Sequence, residues 1–435
     1  MKRVVIQDNR TIFPFNEPAR DLRILNKPLK VHQQDCLVNY CDQVIECERI
    51  DQIPRSDRSE MLAYQDNVFF DQPFIDAFIA QARRRGRAGR VAFSRHDLAI
   101  TRHAIYLQDD IHLEGDVYVG NLWYYPRGVE EDPEPLVIDT QAREIGYYHV
   151  PTYMAHETGN ITYYVPLRAF LSIEHWFHIF LANTPFGIFA EGARMEAKAF
   201  KVLTRFKLLL RGMWERKQAL STSKLVVVGK NTTIMPSADI QGPTFIGDNC
   251  YIGPGVVIQN SIIGNNVNIM QGAQIMLSVV SDNCYLPFRA AVMMSTLMER
   301  CIVAQNACLQ ICVLGRGTFV GSGTTFTDFN LVPRMIHTMR NGRLEPTGLS
   351  VVGGCVGHNC RIGAGLVFMP ARAVESDTIL LRTEERSIID HNVTYEQSDH
   401  HHWPKYRDLH KPLYRANREH PVDREHPADT EYPGG

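Results

Sequence analysis

The residues best suited to chemistry lie close together. Between Thr327 and Ser350 the chain carries Asp328, Asn330, Arg334, His337, Arg340, Asn341 and Arg343 within 24 residues. His337 could accept a proton at neutral pH as a general base. The three arginines could grip a phosphate or carboxylate through planar, two-point contacts. His358 is the one other imidazole close by that could serve as base. A polar stretch of this length is better explained by function than by packing, the alternative being a loop that caps its own domain or holds a neighbouring subunit.

What must position these residues is a repeat. From Val228 to Phe326 an aliphatic or aromatic residue returns every six residues, with a periodic step of five. Ile246, Ile263, Val280, Leu297 and Leu314 follow one another at 17-residue intervals. Helices do not repeat at six, and strand meanders do not hold one period for 100 residues. The pattern predicts a three-sided coil of short strands, about seven coils stacked at about 4.8 Å. The residue four places after each of these also points inward and is small or β-branched. Cys250, Cys284, Cys301 and Cys360 occupy that position, which makes them packed thiols. Corners carry Gly, Asn and Asp, which tolerate positive φ. The pattern stops after Phe326 and resumes near Val351, so the polar stretch is an excursion from the coil.

This hexapeptide pattern resembles the left-handed parallel β-helix of hexapeptide acyltransferases, over about residues 225–382. The first half reads as mixed α/β. Strand-like runs such as "KRVVIQ" and "PLVIDT" alternate with helical spacing in "QPFIDAFIAQARRRGR" and in "LSIEHWFHIFLAN", a helix expected to end at Pro185. This half is similar to the Rossmann-like domain of sugar-1-phosphate nucleotidyltransferases in two places. One is the opening strand, Pro-containing loop and "NKPL" (Asn26–Leu29). The other is the strand ending in Asp66 and followed by a helix. The family's Gly-rich phosphate loop is replaced by "QDNRT", and its loop lysine by Ala19 with Arg20 beside it.

The order of the halves, and the segment "LGRGTFVGSGTTFTDFN…GRLEPTGLSVVGG", resemble the bifunctional uridyltransferase/acetyltransferases that make UDP-N-acetylglucosamine, with degenerate motifs. The resemblance implies Asp66 as a Mg²⁺ ligand and Arg20 and Lys27 as substrate contacts. In the second half the expected substrate contacts are Asp328, Asn330, Arg334, Arg340 and Arg343, with acyl-CoA as the expected co-substrate. Gln305 stands where the family has its catalytic histidine; an amide can orient an acceptor but cannot deprotonate it. Cys308 replaces the family's tyrosine and Asp328 its asparagine. The resemblance also implies a homotrimer held by prism faces.

The expected organisation is a nucleotidyltransferase-like domain over 1–192, a linker helix over 193–220 and the β-helix over 221–382 with its excursion at 327–350. A tail over 383–435 follows, its end disordered. The linker holds eight Lys/Arg against two Glu. Net charge is −2, from 46 Lys plus Arg and 48 Asp plus Glu, and points to no nucleic-acid partner. No run of 18 uncharged apolar residues occurs, so no transmembrane segment is expected. Ten cysteines with no signal-like N-terminus point to reduced thiols and a cytoplasmic setting. Three functions fit: a sugar-nucleotide transferase with altered sites, a silent sensing or scaffold protein on the same folds, and a membrane-surface assembly protein using the basic helix.

Overall fold

The computed structural model describes residues 1–54, 56–149, 160–199, 210–215, 218–330, 335–403 and 410–414. Arg334, residues 200–209 and 216–217 of the 193–220 linker and the tail beyond Tyr414 lie outside them. Among the described residues no helix is long and apolar enough to cross a membrane. The ten cysteines are free thiols.

The first half is built on a mixed sheet. Its strands are β1 (Lys2–Ile6), β2 (Gln43–Cys47), β3 (Met61–Gln65), β4 (Gly89–Ser94), β5 (His112–Glu114), β6 (Val117–Tyr125) and β7 (Glu134–Val137). The order is β7-β4-β6-β3-β1-β2, with β5 hydrogen-bonded to β6. β1 runs parallel to both β2 and β3, and Ile6 lies beside Gln65. β3 is buried at four successive positions, as a central strand covered on both faces must be. Helix α1 (Leu29–Leu37) lies under the C-terminal end of β3. Its Gln33, 1 % exposed, donates to the Asp66 and Val68 carbonyls. Helix α2 (Gln72–Arg85) starts where Asp71 accepts the Phe74 N–H at 2.9 Å and stops at Gly86, whose φ of 65° a side chain would resist.

One expectation fails here. Pro185 does not end the helix that starts α3 (Trp176–Asn183). A wide π turn over Thr184–Phe189 leads directly into α4 (Ala190–Ala199). The turn places the imide where no N–H is required, so the chain continues helical through it.

The second half is a left-handed parallel β-helix. Its three sheets each hold eight parallel strands. Ile246, Ile263, Val280, Leu297 and Leu314 stack in register in the first sheet. Eight coils rather than seven form, because Ile388–Ile389 still pairs with Val367–Phe368, past the boundary read at 382. The inward rows make one continuous core, with Cys250, Cys284, Cys301 and Cys360 at 3 % exposure or less. At one corner Asn231, Asn249, Asn266, Asn283 and Asn359 all take positive φ, the conformation asparagine tolerates best among residues with a Cβ.

The halves share a core. Met294, Ile311, Val313, Val352, Cys355 and Ala373, on or beside the lower first sheet, belong to the same buried cluster as Phe15, Leu29, Phe177 and Phe180. Leu277, Met294 and Ile311 hold positive φ at a corner where Asn or Gly would be expected. Met294 and Ile311 are buried in this shared core, and that burial offsets the backbone strain. Polar ties cross the same seam. Arg316 binds Glu17 at 2.6 Å, Arg23 binds Glu299 at 2.7 Å, and Ser376 N–H donates to the Pro14 carbonyl at 3.0 Å.

Candidate functional site

Open α/β sheets bind ligands beyond the C-terminal ends of their parallel strands. Here β1 leads into Asp8 and Arg10, and β3 leads into Asp66. Asp66 is 2 % exposed. One of its oxygens accepts the Asp8 N–H at 2.9 Å and the other the Arg20 guanidinium at 2.8 Å. Burial raises its pKa against these two bonds. The sequence-derived pair Arg20 and Asp66 is thus brought together, as an ion pair.

Arg10 lies beside this pair, half-exposed. Its guanidinium reaches Asp8 at 2.7 Å, Asp110 at 2.8 Å and Glu174 at 3.1 Å. Burial works against the charge on Arg10, yet the three carboxylates hold its pKa above the usual value. Asp110 also accepts from Asn67 (2.8 Å) and Ser172 (2.9 Å). These bonds and Arg10 keep Asp110 below the ordinary carboxylate range despite burial. Glu174 accepts the backbone N–H groups of Asp109 and Asp110, both at 3.0 Å. Burial and the neighbouring Asp110 push Glu174 up to about 7.

This arrangement does not fit the expected Mg²⁺. Both Asp66 oxygens are already committed, and a guanidinium stands where a cation would have to approach. Among the described residues no group of three or more His, Cys, Asp or Glu could hold a metal ion. A triphosphate also lacks its cradle, since the Asp8 N–H is given to Asp66 and the Arg10 and Arg20 guanidiniums are both paired with carboxylates. Lys27 lies apart, paired with Asp35 at 2.5 Å on the surface.

The excursion is a hairpin of β8 (His337–Arg340) and β9 (Arg343–Pro346). Arg340 points back to the first half and binds Asp109 at 2.6 Å and Glu174 at 3.4 Å. His337 is exposed on β8; its Nδ1 lies 3.0 Å from the Met335 carbonyl, which leaves Nε2 as its free acceptor. Arg343 is exposed on β9. Arg334 lies outside the described residues. Asn330 is half-buried at the root of the excursion.

His358 is placed where a base cannot work. Its ring is fully buried, with Phe15 5.0 Å and Tyr414 4.6 Å away, centroid to centroid. Nδ1 accepts the Arg316 N–H at 2.8 Å, so the neutral ring carries its proton on Nε2, which faces Glu17 at 3.5 Å. Burial lowers its pKa. Tyr414 lies over this ring, held by its N–H to Asp377 at 2.7 Å.

On the third sheet, Asp328 is half-buried beside Gln310. With its amide nitrogen turned to Asp328, Gln310 donates to both carboxylate oxygens at 3.2 and 2.9 Å. Burial raises the Asp328 pKa. Gln305 sits at a prism corner, its carbonyl accepting the Gly323 N–H at 3.1 Å. His337, His358 and Gln305 therefore occupy a hairpin strand, a buried seam and an open corner.

The cluster of Asp8, Arg10, Asp110, Glu174 and Arg340 was not read from the sequence as a unit. The signal available was local: an Asp and an Arg standing where the resembled loop is glycine-rich.

A family model described as the GMPPB C-terminal domain matches residues 222–292, the first four coils of the prism. No curated protein matches the chain. Among solved structures, a proposed acetyltransferase from Bacillus cereus aligns over 23 % of this chain and 69 % of its own, at 18 % identity and a TM-score of 0.16. A UDP-N-acetylglucosamine acyltransferase from Campylobacter jejuni aligns over 35 % of this chain at 18 % identity and a TM-score of 0.21. The alignment spans 57 % of that protein's length.

Proposed function

We propose that the protein is a cytoplasmic relative of the sugar-nucleotide transferases whose first half no longer transfers nucleotides and serves as a docked scaffold on the prism. One observation carries the reading: beyond the ends of β1 and β3 the half-exposed Arg10 guanidinium is engaged by Asp8, Asp110 and Glu174 where a phosphate would have to sit. Nucleotidyl transfer needs that space for phosphates and a divalent cation. The family match within the prism supports the sugar-nucleotide setting.

In this reading the protein is a homotrimer, and the open second and third sheets are the surfaces free to assemble. From Tyr251 to Phe319 the outward row of the second sheet is Tyr251, Asn268, Tyr285, Ile302 and Phe319, without a charge. The test of the silent first half is release of pyrophosphate from UTP, GTP or dTTP with hexose 1-phosphates and Mg²⁺. No turnover is expected; turnover with any pair overturns the reading.

A second reading, acyl transfer on the prism with acyl-CoA as co-substrate, is favoured by Asp328. Among the described residues at the excursion root its carboxyl combines a raised pKa with partial exposure, and a carboxylate so tuned can take a proton from an amine or hydroxyl acceptor. Acetyl-CoA turnover that falls at least about a hundredfold in Asp328→Asn, but not in His337→Ala, is the expected signature of that chemistry. Equal loss in both variants would return the role to the hairpin.

A further inference from the structure

Residues 410–414, well past the last prism strand, touch both halves at once and belong to none of the sheets. Their anchor is Asp377, 1 % exposed at a prism corner. Its carboxylate accepts two successive backbone N–H groups, from Leu413 at 2.9 Å and Tyr414 at 2.7 Å. Its carbonyl accepts the His410 Nε2–H at 3.0 Å. Asn359, which also donates to the Asp377 carboxylate at 2.7 Å, reaches the Lys411 carbonyl at 3.2 Å. From the first half, Asn16 donates to the Tyr414 carbonyl at 3.0 Å. The Tyr414 ring lies over His358 and 6.0 Å from the Arg316 guanidinium, the two prism groups that face Glu17 of the first half.

A buried carboxylate needs an ion pair or hydrogen bonds to satisfy it. Among the described residues Asp377 is in no ion pair, and two of the three N–H groups it accepts come from 413–414. The prism needs none of this for its own ladder, which ends at Ile388–Ile389. The contacts are also mostly to main chain: the N–H groups of Leu413 and Tyr414 and the carbonyls of Lys411 and Tyr414 are held, while the Leu413 side chain is left 68 % exposed.

From this geometry we infer that the prism corner at Asp377 and Asn359, together with Asn16, is a binding site for a short peptide carrying an aromatic side chain, and that 410–414 occupy it as a strap across the seam between the halves. Main-chain groups and one aromatic ring are what the site recognises, so its ligand class is peptide rather than sugar or nucleotide. The strap covers the Arg316, His358 and Glu17 contacts and ties the first half to the prism beyond their shared core. The inference goes beyond the functional reading above and does not rest on it.

Hydrogen exchange on the full-length protein tests this. Leu413→Pro removes one of the two N–H groups given to Asp377. The amides of Arg316 and Ser376, bonded to His358 Nδ1 and to the Pro14 carbonyl, should then exchange about tenfold faster. Gly264 and Tyr285, bonded to the Val280 and Cys301 carbonyls nearer the start of the prism, should stay protected. Tyr414→Ala should act on the same two amides. Leu413→Ala keeps the N–H and loses only an exposed side chain, so it should change neither. Unchanged exchange in both Leu413→Pro and Tyr414→Ala overturns the strap. So does a rise in Leu413→Ala equal to that in Leu413→Pro, and so does a uniform rise throughout the prism, which would make the segment a support of the whole fold.

Discussion

The prism and the α/β half solve the same problem, burying a core, by opposite means. The prism repeats one solution eight times, so each inward row is a column of like residues and each coil meets only its neighbours. The α/β half has no repeat; Phe15, Phe177 and Phe180 meet from distant parts of the chain. The difference shows in the polar groups as well. The prism's buried hydroxyls and thiols bond to backbone one coil away, as Cys301 Sγ does to the Gly315 carbonyl at 3.0 Å. The α/β half buries carboxylates paired to an arginine 100 or more residues away, as Asp110 and Glu174 are to Arg10. Repetition makes a fold self-sufficient, and long-range charge pairing makes it dependent on assembly.

The sharpest way to break this contrast is to damage the prism and observe the other half. Ile275→Asp places an unpaired charge in a fully buried row and should cost more than about 4 kcal/mol. Because the halves share a core, guanidinium unfolding followed by Trp fluorescence and by far-UV circular dichroism should coincide in the wild type; separate transitions would make them independent. Arg10→Met comes next. It leaves Asp8, Asp110 and Glu174 facing one another without their cation, and because Arg10 is half-exposed the loss should be about 1–2 kcal/mol in chemical denaturation.

The pH dependence of stability should also belong to the α/β half. Glu174 is raised from 4.5 to about 7, so its favourable contribution is full below 4.5 and lost between 4.5 and 7. Burial lowers His175 to about 3 and His178 and His103 to about 4, so their contribution is full above 6.5 and lost on acidification toward 4. The three histidines outweigh Glu174 and Asp71, the latter raised to about 6, so the melting temperature should rise from pH 4 to about 6.5 and level off above 7. Glu174→Gln should steepen the rise between pH 4.5 and 6.5 and keep the loss on the acid side. At the prism corner, Asn266→Ala at a φ of 55° should cost about 1 kcal/mol. Least of all, Arg95→Ala, an exposed pair with Asp116, should move stability by less than about 0.5 kcal/mol.

The prism was legible because its period is in the residues themselves. The stacked column from Ile246 to Leu314, the packed cysteines and the position of the excursion all followed from spacing. The docking of the halves did not, although a trace of it was present: Leu277, Met294 and Ile311 stand at corner positions that elsewhere hold Asn or Gly, and only a second surface explains apolar side chains there. The Pro185 boundary failed because a single imide can be absorbed by a π turn, which no propensity signals. Asp66 and Arg20 came from the family resemblance; their mutual pairing did not, because it depends on the segment after β1 folding back over the end of β3. His358 was a plausible base by residue type, and burial beneath Phe15 and Tyr414 removes it.

The most direct test of the engaged Arg10 is calorimetric titration of the full-length protein with UTP and Mg²⁺. With Arg10 held by Asp8, Asp110 and Glu174, no saturable Mg²⁺-dependent heat is expected up to about 1 mM nucleotide, where a Kd of that size corresponds to only ~4 kcal/mol. Saturable Mg²⁺-dependent binding in the micromolar range would contradict it, and would mean that the arginine yields its place to phosphate.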